Sequence, residues 1–86
     1  MSNDEPEFDT DLLGLQHELI SELQEAGFAY FSDVTQVEVD LSNREMKVMI
    51  ACDNKAIEPA IKKFAKENKF KSVTYSGDRG AYYLKR

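Results

Sequence analysis

Hydrophobic positions follow a helical period, then a strand period, and then both again. Leu12, Leu15, Leu19, Leu23 and Ala26 recur at spacings of three and four, with Leu13 and Ile20 widening the stripe. That is the signature of an amphipathic helix with one buried side. Asp9 or Thr10 can cap its start, and Gly27 is placed to end it, because glycine enters the left-handed conformation at the residue after a helix without strain. Strict alternation follows: Val37, Val39 and Leu41 point one way, and Gln36, Glu38 and Asp40 the other. Met46, Val48, Ile50 and Cys52 mark a second strand with its own buried register, joined to the first through Ser42-Asn43-Arg44-Glu45 as a hairpin.

The second half repeats this order. Ile57, Ala60, Ile61, Phe64 and Ala65 return to helical spacing. Pro59 lacks an N–H and biases Glu58 away from the helical region, so this helix either begins near Pro59 or has a distorted first turn from about Lys55. Lys71-Ser72-Val73-Thr74-Tyr75 reads as a third strand, Ser76-Gly77-Asp78-Arg79-Gly80 as a turn, and Ala81-Tyr82-Tyr83-Leu84-Lys85 as a fourth strand. The order α-β-β-α-β-β is one unit written twice. The pattern F-x-x-V-T at Phe31 and again at Phe70 gives it weak support.

These elements predict an α+β two-layer sandwich: a four-stranded, antiparallel-rich sheet with both helices on one face, which satisfies every apolar stripe at once. The strand order expected is 3-4-2-1, a circular permutation of the ferredoxin-like sandwich. Residues 1–8 carry Pro6 and three acids with almost no apolar content and are expected to be a disordered acidic tail. Residues 9–86 are expected to be a single domain.

Charge divides the chain. Residues 1–54 hold thirteen Asp/Glu against Arg44 and Lys47, about −11, whereas residues 55–86 hold nine Lys/Arg against Glu58, Glu67 and Asp78, +6, which together give −5. Either acidic and basic elements face each other inside the fold, or one end attracts a partner. Two helices side by side on one sheet are expected to bring the acidic stripe Asp11, Glu18, Glu22 and Glu25 near the lysine stripe Lys62, Lys66 and Lys69, removing the field that a phosphate needs. Favourably oriented i,i+4 pairs, Glu58 with Lys62 and Lys63 with Glu67, act in the same direction.

Catalytic chemistry is hard to assemble. His17, the one histidine, opens His17-Glu18-Leu19-Ile20-Ser21, where serine stands at the position of the second histidine ligand of a zinc-protease helix. It reads as a solvent-facing helical residue, and no metal is expected. Cys52, the one cysteine, excludes an intramolecular disulfide, fits a reducing compartment and reads as a small apolar residue rather than a nucleophile. No phosphate-binding glycine loop occurs, no cofactor is implied, and the chain is expected not to be an enzyme. Met1-Ser2-Asn3-Asp4-Glu5 has neither a basic nor an apolar leader region, and no apolar run approaches the roughly 20 residues that cross a bilayer. A cytoplasmic protein without membrane contact is expected.

Partner binding is therefore the leading expectation: a small, cofactor-free binding or regulatory protein that docks on another protein or on itself. Compact acidic proteins of this kind are frequent among phage-encoded and bacterial regulators, an association of size and charge only. Two surfaces suit this role. The open face of the sheet would present Gln36, Glu38, Asp40, Lys47, Met49, Ala51, Ser72, Thr74 and Tyr83, with Met49, Ala51, Thr74 and Tyr83 as a modest apolar centre inside a polar rim. The acidic first helix would present Glu18, Glu22 and Glu25. The alternative is a nucleic-acid module using Lys62, Lys66, Lys69, Lys71, Arg79 and Lys85, with Tyr83 as a stacking platform. A third reading is an acidic mimic of nucleic acid.

Overall fold

The computed structural model describes residues 11–86; the expected tail over residues 1–8 and the capping residues Asp9 and Thr10 lie outside them. Among the described residues the order is α1 (Asp11–Glu25), β1 (Val34–Asp40), β2 (Glu45–Ile50), α2 (Asn54–Glu67), β3 (Ser72–Ser76) and β4 (Ala81–Lys85). The strands form one antiparallel sheet in the order β1-β2-β4-β3, the expected 3-4-2-1 counted from the other edge. The fold is the α+β sandwich that the periodicities predict. No helix among these residues is long and apolar enough to cross a membrane.

Register explains why one face is buried. Val37 lies opposite Val48, Val48 opposite Tyr82, Met46 opposite Leu84, and Leu84 opposite Val73. These side chains therefore share a face, since alternate residues of a strand project to the same side. α1 lies over β1 and β2, and α2 reaches β3. Leu12, Leu15, Leu19 and Leu23 from α1 and Ile57, Ile61, Phe64 and Ala65 from α2 close the core against that face. A fully buried side chain of this size contributes about 1.5–3 kcal/mol over an exposed one, so this layer is the main source of stability.

The two helix–hairpin units share their backbone devices. After α1, the Gly27 N–H donates to the Gln24 carbonyl at 3.0 Å and the Phe28 N–H to the Leu23 carbonyl at 2.8 Å. After α2, the Lys69 N–H donates to Lys66 at 3.4 Å and the Phe70 N–H to Ala65 at 2.9 Å. Gly27 and Lys69 hold the left-handed conformation these bonds require, at φ 101° and 64°. Each hairpin turn ends on a left-handed residue too, Arg44 and Gly80. The repeat thus equates Phe28 with Phe70, both half-buried against the core, and not Phe31 with Phe70 as the F-x-x-V-T match suggests. Arg86 adds an anchor to the second unit: its Nη2 and Nε donate to the Asn68 carbonyl at 2.7 and 3.2 Å, and its guanidinium lies 5.2 Å from the Phe70 ring centre.

Of the two starts open to α2, the distorted first turn is the one observed. Asp53 caps the helix by accepting the Lys55 N–H. Its carbonyl receives Ala56 at 3.1 Å and Ile57 only at 3.4 Å, so the turn is tightened ahead of Pro59, which stands inside the helix. Likewise β2 stops at Ile50, which leaves Cys52 in the following bend rather than in the strand.

Gly14 is exposed in the middle of α1, and a Cβ built there meets nothing within 4 Å. It mediates no close packing on the sheet. Gly14→Ala is expected to raise stability by about 0.5–1 kcal/mol in urea denaturation, through helix propensity and a less flexible unfolded chain. A loss of stability would show that the glycine has a structural role.

Candidate functional site

Opposite the helices, the sheet face is covered by no described element. Its side chains form three rows across the strands. Asp40, Glu45, Lys85 and Ser72 make the first, Glu38, Lys47, Tyr83 and Thr74 the second, and Gln36, Met49, Ala81 and Ser76 the third. Met49, Thr74 and Tyr83 thus come together as the alternation predicts. Met49 and Tyr83 are half-buried, Thr74 is exposed, and Ala81 is fully buried as a floor between them.

Charge on this face is graded. Glu38, Val39, Asp40, Glu45 and Lys47 line a hollow of about 130 Å³ at the β1 side. Lys47 reaches Glu38 at 3.6 Å, and the Gln36 amide also donates to Glu38. Asp40 accepts from the side chain and the backbone N–H of Asn43 at 2.8 and 3.2 Å, and these bonds hold its carboxyl below the usual range. On β4 and β3 the only charged member of the rows is Lys85, which is exposed. Glu45 was not among the candidate residues, and Lys85 was named only in the nucleic-acid set. The parity of Met46 and Leu84 places both on the open face, but their adjacency follows only from the register.

The acidic helix presents two of its three candidates. Glu18 and Glu25 are exposed, whereas Glu22 is half-buried beside α2. With Glu25, Ala26, Ala60, Lys63 and Glu67 it lines an open groove of about 460 Å³ between the helices. Burial first, and the Glu67 carboxylate second, raise its pKa against the opposing pull of Lys63. The acidic helix therefore meets Lys63, not the stripe Lys62, Lys66 and Lys69. Lys62 is held by Glu58 of its own helix at 2.7 Å, and no described carboxylate lies within ion-pair distance of Lys66 or Lys69. Internal neutralisation is narrower than the charge pattern predicts, because the lysines of α2 point to more than one side.

The nucleic-acid set is divided. Lys62 and Lys66 lie on α2, on the helix side of the sheet, and Lys69 follows that helix. Tyr83 and Lys85 are on the opposite face, Lys71 precedes the edge strand β3, and Arg79 lies in the β3–β4 turn at the other end of that hairpin. No single surface gathers the six cations around the Tyr83 ring. Tyr82 is buried and unavailable for stacking on a base.

His17 and Ser21 are exposed on α1, and the described residues include no group of three or more His, Cys, Asp or Glu placed to hold a metal ion. Burial, and then the charges of Asp33 and Asp53, push the Cys52 thiol up, which disfavours the thiolate. Sequence periodicity places Leu13 and Ala26 on the buried stripe, whereas both are exposed, and it misses a further exposed feature. Phe31 is 75% exposed at φ 76°, held by its N–H bond to the Val34 carbonyl, with its ring tilted against that of Tyr30 at 4.3 Å between centres. No pattern in the sequence signals that conformation. No family model, curated protein or solved structure matches the chain.

Polar contacts also join the layers beneath this face, among them the Gln16 amide, which donates to the Val37 carbonyl at 2.7 Å, and the Tyr82 hydroxyl. The Tyr82 hydroxyl donates to the Glu58 carboxylate at 2.9 Å and lies 3.0 Å from the Asn54 carbonyl, tying β4 to the first turns of α2. Burial, and then the bond to Glu58, raise the phenol from its ordinary 10 to about 12. Below the ordinary value both folded and unfolded tyrosines keep the proton, and the contribution is complete. Between the two values the unfolded residue ionises first, so stability falls as pH rises. Tyr82→Phe is expected to lose about 1–2 kcal/mol at neutral pH and to show a shallower alkaline decline than the native chain. Equal alkaline slopes in denaturant titrations would contradict this assignment.

Proposed function

We propose that the protein is a cofactor-free binding protein that works by docking another protein on the open face of its sheet, and that it acts in the cytosol without catalysing a reaction. The observation that carries this reading is the asymmetry of the sheet. One face is closed by two helices, while the other presents half-buried Met49 and Tyr83 within a rim of Glu38, Asp40, Glu45, Lys47 and Lys85. A partly apolar centre inside a charged rim is the anatomy of a reversible protein interface, and tyrosine and methionine are favoured there. The matching surface is flat, with an apolar centre, a basic group facing the β1 side and an acidic group facing Lys85.

Affinity capture with three forms of the chain tests this. A partner that binds the native protein is expected to be lost with Met49→Glu/Tyr83→Ala and kept with Lys62→Glu/Lys66→Glu. The reverse pattern, or a salt-sensitive mobility shift of nucleic acid abolished by Lys62→Glu/Lys66→Glu, would overturn the reading in favour of the basic helix.

A further inference from the structure

The open-face reading leaves the occupant unspecified, and the charge grading of that face names one. Resting on that reading, we propose that the face pairs with the same face of a second copy of this chain, with Lys85 of each copy seated in the acidic hollow of the other. The hollow carries Glu38, Asp40 and Glu45, with Lys47 the one basic residue in its lining. On the other side of the sheet midline, the rows from β4 and β3 carry no acidic side chain, and Lys85 is their one charge. Glu45 and Lys85 are direct cross-strand partners in the same row, yet they form no ion pair within the chain. Within the chain Lys85 acts on Asp40 from beyond ion-pair distance, which leaves both side chains open to direct contact by a neighbour.

Geometry then selects one arrangement. A two-fold axis running between β2 and β4, parallel to both, lays β2 of one copy over β4 of the other in the same row. Glu45 comes opposite Lys85 of the second copy, and Lys47 opposite its Tyr83, where an ammonium over an aromatic face is attracted. An axis perpendicular to the strands lays β1 over β1, sets acid against acid, and is rejected by charge. Sheets facing each other at about 10 Å leave room for Lys and Glu side chains to meet. The face spans four strands about 4.8 Å apart and about five residues along each strand, about 19 by 17 Å. That is well below the roughly 800 Å² which each partner buries in a standard interface. The pairing is therefore a reversible equilibrium that follows protein concentration.

Sedimentation equilibrium of the full chain tests this. The native protein is expected to move with concentration from its 9.8 kDa monomer toward twice that mass. Lys85→Glu and Glu45→Lys are each expected to weaken self-association tenfold or more. The decisive arm mixes the two variants in equal amounts, because every Glu45–Lys85 contact then joins unlike charges across the interface, and a heterodimer is expected. Thermal melts confirm that each variant is folded. If either is not, Tyr83→Ala replaces it, with weakened self-association expected. A native chain that stays monomeric at every concentration, or folded variants that fail to pair on mixing, would overturn the inference. The open-face reading is judged separately, since capture of a different protein that depends on Met49 and Tyr83 would stand beside a monomeric chain.

Discussion

The structure depends on burying one side, and only one side, of a four-stranded sheet. Because side chains alternate along each strand, a register that joins Val37, Val48 and Tyr82 in one row also fixes where every intervening residue must point. The leucine stripe of α1 and the Ile57, Ile61 and Phe64 stripe of α2 meet that face, and neither stripe has another surface on which to close. Shifting β1 or β2 by one residue would bring Glu38 or Lys47 under the helices and expose Val37 or Val48. Apolar burial thereby sets the position of the polar face as well. The bonds from Tyr82 to Glu58 and from Gln16 to the Val37 carbonyl add direction to a contact that is otherwise largely apolar.

Much of this was legible in the residues. Period-two runs at 36–41 and 46–50, with the strand over 81–85, carried the identity of the open face, including Met49 and Tyr83, because parity is a local property. Caps and turns were partly legible. Gly27 marks the end of α1, but Lys69 performs the same function after α2 with no glycine to announce it, since bonds to Ala65 and Lys66 hold it there. Pro59 left two starts for α2, and the Asp53 cap decided between them. The F-x-x-V-T match misled because Phe31 and Phe70 occupy different points of their units.

Charge was the least legible part, because it depends on which side of a helix each residue takes after packing. The opposed halves of the sequence suggested that α1 and α2 would neutralise one another, yet Lys63 alone of the α2 lysines lines the groove between them. The more consequential grading lies on the other face, between the hollow beside β1 and Lys85 on β4, and it arises only when strands 40 residues apart in sequence become neighbours. A binding role through that face draws on the same alternation that builds the core: the covered side supplies rigidity, and the uncovered side presents tyrosine, methionine and graded charge.

The central claim, that one sheet face is sealed and the other open, is tested most directly by modifying the folded chain with a water-soluble tyrosine reagent. The dilution must keep the chain monomeric, and the modified residues are identified by mass spectrometry. The account predicts reaction at Tyr83 on the open face, and at Tyr75, which stands on the covered side but on the edge strand β3 and is 37% exposed, with Tyr82 untouched until the protein unfolds. Tyr82 reacting as readily as Tyr83, or Tyr83 protected in the monomer, would contradict it.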